Sequence, residues 1–238
     1  MSFLPQSDRR ESANRWDNIQ DTINRCTTCR PQNLKKAPAR PPEPTPNCPL
    51  FLTEAPPEGG GFWAATNPPD QVQLNVFSIL RDLRQGFKNL QPGRDGLETF
   101  AHYFSLIQTL KWPQYDQVSS LKPQARKAIR HSVEAHLIHE IQAIRPTGIF
   151  ASGAVAGLAC CLLAPRSGLC EFFSARGFEE DIAGQRLIAE IPGLGRLPIY
   201  FSLLLVNRHR PTSRQHLESF IGELMSHEED SAVSSAPS

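Results

Sequence analysis

Leu50-Phe-Leu-Thr-Glu-Ala-Pro-Pro-Glu-Gly-Gly-Gly-Phe62 opens as a short apolar run and breaks abruptly into two prolines and three glycines. A buried strand that delivers a loop to the edge of a sheet reads this way, because apolar residues fill the strand while Pro and Gly end it. In an open α/β sheet that edge is where ligands bind. Glu54 stands at the strand's end, Gly59 to Gly61 let backbone approach a ligand closely, and Phe62 and Trp63 offer flat apolar faces. A carboxylate, a close-approach loop and an aromatic together suit a planar ring. The same residues also describe a solvated acidic side chain before an ordinary turn, so the flanking sequence has to decide.

Downstream, Val72, Val76, Ile79, Leu80 and Leu83 share one face of a helix over Asp70–Leu83, and Asp70 is placed to cap its start. The run Tyr103–Leu110 fits either a helix continuing from Leu97 or a second core strand, and its aromatic and apolar density favours the strand. Ile129, Val133, Leu137, Ile141 and Ile144 mark one face of a long helix, Gln124–Ile144, which Arg145-Pro146 ends. Gly148–Gly153 reads as a short buried strand and Ala154–Leu163 as a helix of small residues behind it. Ile199–Val206 reads as the strongest strand, apolar throughout, as parallel strands covered on both faces are. Thr212–Met225 is the last helix, and Gly193-Leu194-Gly195 is a turn.

Strands alternating with helices predict a three-layer α/β/α domain with a four-stranded, mostly parallel sheet over residues 48–226. Residues 1–30 form an appendage: a helix over Ser7–Arg25, with Trp16, Ile19 and Ile23 at helical spacing, and then a C-x-x-C. Residues 31–47 are a linker rich in proline and basic residues, which disfavours helix and strand alike, and residues 227–238 read as a polar, disordered tail.

Composition narrows the function. A net charge of +1 over 238 residues advertises no global field for nucleic acid or membrane, so any basic patch is local. No segment approaches the roughly 18 consecutive apolar residues of a membrane span, and the polar N-terminus lacks the core of a signal peptide. The expectation is a cytoplasmic monomer with no membrane partner. Six cysteines, with Cys160 and Cys161 adjacent, do not resemble a secreted disulfide framework. Cys26 and Cys29 can hold half of a zinc or iron–sulfur site and Cys48 could add a third ligand, but no fourth thiolate or histidine follows at a customary spacing. His131, His136 and His139, at spacings of five and three, miss the i, i+4 pair of a helical metal site and read as solvated helix surface. No cofactor is expected.

Five short blocks then fall in a familiar order: Thr53-Glu54-Ala55-Pro56-Pro57, Lys111-Trp112, Ile144-Arg145-Pro146, Ser152-Gly153 and His209-Arg210-Pro211-Thr212-Ser213. Together with the C-x-x-C ahead of the first strand, they resemble the uracil-DNA glycosylase superfamily, especially its thermophile-type, iron–sulfur-bearing branch. The likeness covers roughly Cys26 to Leu224.

The resemblance implies a DNA glycosylase of base excision repair, a hydrolase that cleaves the N-glycosidic bond of uracil or another damaged base in DNA. Such cleavage passes through an oxocarbenium-like state and requires the target nucleotide to be flipped from the stack. It gives Glu54 the task of orienting water or stabilising the cationic sugar, and His209 that of stabilising the departing base. Ala55, Pro56, Phe62, Trp63 and Gln108 would receive the base, with Gln108 where relatives carry a base-reading Asn. Arg208, Arg210, Ser213 and Arg214 would contact DNA. Gln108 could equally satisfy neighbouring backbone in a strand, and His209 could sit in a phosphate-binding turn without catalytic duty. The alternative is a catalytically inactive nucleic-acid-binding member of the same fold. A third reading is a zinc-supported interaction protein. Departures from the family are specific: Trp112 and Val133 stand where two cluster cysteines belong, Pro57 replaces a glycine, and Arg210 is inserted between histidine and proline.

Overall fold

In the computed structural model, which describes residues 6–28, 38–57, 60–113, 121–165, 177–205 and 211–233, the Leu50 run is a strand, β1 (Leu50–Thr53), with every residue buried. It lies between two parallel neighbours, β2 (Ser105–Gln108) and β3 (Ile149–Ser152). Two further strands, β4 (Arg186–Ile191) and β5 (Gly195–Ser202), complete a five-stranded sheet of order β2-β1-β3-β5-β4. β5 is parallel to β3, and β4 is antiparallel to β5.

Period-two alternation along these strands sends side chains into two separate cores. Leu50, Leu52, Ile107, Ile149, Ala151, Ile199 and Phe201 enter one. It is covered by α1 (Gln6–Arg25), by α4 (Pro123–Ser132) running on through a π-helical turn (Val133–Leu137) into α5 (Ile138–Ile144), and by α6 (Ala154–Leu163). Phe51, Leu106, Phe150 and Tyr200 enter the other, beneath α2 (Gln71–Leu83), α3 (Arg94–Tyr103) and α7 (Pro211–Val233). The first core is aliphatic and small-residue, which lets α6 lie close to the sheet. The second is aromatic: Phe51 alone stacks at 5.6–5.7 Å on Phe100, Phe104, Phe150 and Phe220.

The connection from β1 to β2 runs through α2 and α3 on the aromatic face, and that from β2 to β3 runs through α4 and α5 on the aliphatic face. The chain thus reverses direction across the sheet between β1 and β3. The carboxyl ends of those strands are the topological switch point of an open α/β fold, where such folds hold a ligand-binding crevice.

Four expectations need correction. The sheet has five strands, because Arg186–Ile191 pairs with β5 across the Gly193 turn; its alternation of exposed Arg186, Ile188 and Glu190 with buried Ala189 and Ile191 marks an edge strand. The last parallel strand, eight residues long from Gly195, ends at Ser202, so Leu203–Leu205 lie beyond the ladder although they continue the apolar run. Tyr103 closes a helix, and the strand begins only at Ser105. The final helix continues to Val233, past Met225 and into the segment read as a disordered tail.

Residues 38–47 carry no helix or strand, as their prolines dictate, yet they are anchored. Trp16 Nε1 donates to the Pro41 carbonyl at 3.4 Å, and Thr45 Oγ1 to the Ala101 carbonyl at 3.0 Å. No helix among the described residues is long and apolar enough to cross a membrane.

Candidate functional site

Thr53 pairs with Gln108 at the last register position of β1 and β2, so the next residue, Glu54, leaves the sheet at its carboxyl edge. The Thr109 and Leu110 N–H groups donate to the carbonyls of Thr53 and Glu54, both at 2.8 Å, and fix the backbone there. The side chain of Glu54 turns toward β3: its Oε1 accepts from the Val155 N–H at 3.4 Å, in the first turn of α6. A helix N-terminus favours an anion. Burial opposes it more strongly, and pushes the Glu54 carboxyl up to about 7 from its ordinary 4.5.

Gly153 makes this placement possible. It adopts φ +91°, and a Cβ there would stand 2.6 Å from Glu54 Oε1 and 2.6 Å from Leu204 Cδ2. Only a residue without a side chain allows the carboxylate, the β3–α6 turn and the chain leaving β5 to meet. Ser152, one residue earlier, holds that departing chain: its Oγ contacts the Leu203 carbonyl at 3.3 Å and accepts from the Leu205 N–H at 3.1 Å. Asn75 Nδ2 of α2 donates to the Leu205 carbonyl from the other side. The ends of β1, β2, β3 and β5 therefore form one floor.

Gln108 is half-buried on this floor, its amide nitrogen 3.9 Å from where a Cβ on Gly61 would lie. Gly61, at φ +111°, folds the glycine loop back over Pro56, which is buried, while Ala55 packs against the aliphatic core. Phe62 has its ring in the aromatic core, 4.8 Å from Phe100, and its carbonyl accepts from Gln73 Nε2 at 3.0 Å. Trp63 is half-buried and donates through Nε1 to the Leu106 carbonyl at 2.8 Å. Phe62 is thus a packing residue in this state, leaving Trp63 as the more accessible ring.

His209, Arg208 and Arg210 lie outside the described residues, as do Glu58 and Gly59 of the glycine loop. Ser213 is buried in the first turns of α7. Arg214 is exposed and bonded to two carboxylates, Asp82 at 2.8 Å and Glu218 at 2.7 Å, so a phosphate would have to compete with both. The sequence singles out Glu54 and Gln108 but not Asn75, and it does not show that Gly153 lies against Glu54. A polar Asn on the buried face of an amphipathic helix was the available signal for the first.

The cysteines separate. Cys48 is buried with its Sγ 3.1 Å from Ser105 Oγ, and Cys160 and Cys161 are buried within α6. Cys29 lies outside the described residues. Cys26, just past α1, stands 3.5 Å through Sγ from His131 Nε2. The expectation that the three histidines are solvated surface holds for exposed His139 and fails for His136, which is only 3% exposed. Burial, with the Lys111 ammonium nearby, pushes His136 down to about 4 and keeps its ring neutral. Lys111 is itself buried and ion-paired with Glu140. The iron–sulfur cluster that the resemblance implies does not fit: Trp112 and Val133, at the positions of two of its cysteines, are buried side chains that offer no thiolate.

No family model matches the chain, and no curated protein matches it either.

Proposed function

We propose that the protein is a hydrolase of N-glycosidic bonds in DNA that removes uracil or another damaged base flipped into the crevice at the β1–β3 switch point. The observation that carries the reading is Glu54, a half-buried carboxylate raised to about 7 and turned across the strand ends, with no cation paired to it among the described residues. Strongly perturbed titratable groups in such crevices are candidates for chemistry. As the glycosidic bond stretches, positive charge develops on the sugar; an ionised Glu54 stabilises it and orients the attacking water. Gln108, with an amide that donates and accepts, reads the base edge. The anionic base leaves toward a donor, the part the resemblance gives to His209.

The test is incubation of purified protein with a panel of oligonucleotides, each carrying one lesion, followed by alkali to reveal abasic sites. Cleavage of at least one lesion that disappears in Glu54→Gln supports the proposal. Lesion-selective binding without cleavage at any pH between 6 and 9 refutes it and leaves the binding-only member of the fold.

A further inference from the structure

A second cluster, remote in function from the crevice, has the composition of a metal site. Cys26, His131 and His136 offer one sulfur and two nitrogens that all lie within 4.8 Å of one another. With Zn–S near 2.3 Å and Zn–N near 2.0–2.1 Å, a tetrahedral site spaces sulfur and nitrogen by about 3.6 Å. The observed Cys26–His131 separation of 3.5 Å is that edge. The two imidazoles meet edge to face, centroids 5.8 Å apart at 88°.

Backbone geometry explains how histidines five apart can converge. In a regular α-helix of 3.6 residues per turn, such residues diverge by about 140° around the axis. Between them lies the π-helical turn Val133–Leu137, in which the Ile138 N–H bonds back to the Val133 carbonyl, five residues away. The wider turn rotates His136 toward His131, and π-bulges of this kind occur frequently at functional sites.

An independent observation points to a missing ligand. His136 is 97% buried by its 3% exposure, and among the described residues neither ring nitrogen has a hydrogen-bond partner. Buried polar atoms are ordinarily satisfied, and an orphan that is also a good ligand calls for an explanation. We propose that Cys26, His131 and His136 bind a divalent transition metal, zinc by the softness of a thiolate–imidazole set, and that the ion pins the end of α1 to the π-turn. A cleft of about 560 Å³ between α1 and the long helix, lined by Ile19, Thr22, His136 and His139, reaches the edge of the cluster at His136. The ammonium of Lys111 does not repel the ion unopposed, because Glu140 neutralises it.

The full chain, purified without chelator, is analysed for metals and then stripped and titrated with cobalt(II). About one zinc per chain is expected. So is a cobalt spectrum with tetrahedral ligand-field bands and a thiolate charge-transfer band. Cys26→Ser weakens the charge-transfer band, and His136→Ala weakens zinc affinity on the order of 10- to 100-fold or more, the loss that even a supporting residue of a metal site produces. His131→Cys keeps the metal and strengthens the charge-transfer band. Absence of zinc together with absence of cobalt bands in the unaltered chain overturns the proposal, and that measurement depends on no variant folding. So do bands unchanged in both Cys26→Ser and His136→Ala, or a brown chain containing iron and sulfide.

Discussion

Glu54 at the strand ends and His136 on the π-turn are perturbed by the same force in opposite directions. Burial disfavours charge, so it drives the carboxyl up to about 7, leaving it about half protonated at neutral pH, and the imidazole down to about 4, leaving it neutral. The chemical consequences differ. A neutral imidazole is ready to ligate, whereas a neutral carboxyl cannot stabilise a cationic sugar and must first ionise. On the readings proposed above, ionisation of Glu54 would switch the crevice on, whereas in the cysteine–histidine cluster His136 is already neutral and the Cys26 thiol gives up its proton when the metal binds. The former lies where an α/β topology puts chemistry, and the latter exists only because the helix departs from regular geometry.

The largest expected effect breaks the comparison at the crevice. Glu54→Gln removes the carboxylate while keeping its shape, and lesion cleavage should fall on the order of 100- to 1,000-fold, the scale of losing one preorganised electrostatic group. In the parent, kcat/KM should rise about tenfold per pH unit below about 7 and level off above it, because the ionised form does the work. Single-turnover rates on one lesion-containing duplex from pH 5.5 to 8.5 measure both. A flat profile in the parent would mean that Glu54 is not the titrating group.

Next comes Gly153→Ala. Its Cβ would land 2.6 Å from Glu54 Oε1 on a backbone at φ +91°. Strain at such a position is of order 1–3 kcal/mol, and displacement of the carboxylate should slow cleavage by about 10-fold or more. Thermal unfolding and single-turnover kinetics on the same sample separate the two parts. Normal cleavage with lowered stability would show that the exact seat of Glu54 does not matter.

These residues also show what the sequence could reveal. β1, β3, α2, α6 and the α/β class were legible because period-two and helical apolar patterns report directly on burial: Asp70 accepts from the Val72 and Gln73 N–H groups as its position before the helix implied. β4 was not, since an edge strand with Arg186, Ile188 and Glu190 outward carries little apolar signal. The end of β5 at Ser202 was hidden because Leu203–Leu205 are apolar whether they extend a strand or line its exit. Glu54 could be singled out at a strand–loop junction, but its contact with Gly153 joins residues 99 positions apart and depends on the sheet order. The convergence of His131 and His136 was illegible for a different reason: an i, i+5 spacing reads as divergent unless the π-turn is known.

Metal removal asks whether the two regions are coupled. Stripping zinc from the full chain should lower Tm by several degrees, as loss of a native-state ligand does, and should loosen α1 to proteolysis. Cleavage per folded molecule should change little, because among the described residues the cluster reaches the crevice floor only indirectly, through Lys111, which lies near His136 and donates to the Gln108 carbonyl. Activity lost in step with the metal, with α1 still protected, would reverse the assignment and make the cluster part of the catalytic apparatus.

The smallest effect is the most diagnostic of why Glu54 is held out of water. Because its pKa in the fold lies above its ordinary value, the native state holds a proton that the unfolded chain releases between about 4.5 and about 7. Native protein binds more protons across that window, so stability falls as pH rises through it. The penalty is absent below about 4.5 and fully expressed above about 7. At 1.36 kcal/mol per unit the shift corresponds at most to about 3 kcal/mol, so Glu54→Gln, which never carries the charge, should be more stable than the parent by about 1–3 kcal/mol at pH 8. For a chain of this size, that is a rise in Tm of a few degrees at least. At pH 4.5 the two proteins should unfold together. Urea melts of both at the two pH values measure the difference. A variant both inactive and more stable only at high pH would show that the fold tolerates an unfavourable carboxylate for the sake of its chemistry, as sites under functional constraint do. Equal stability at both values would instead place Glu54 in an environment as polar as water, and the crevice would lose its claim to be a site.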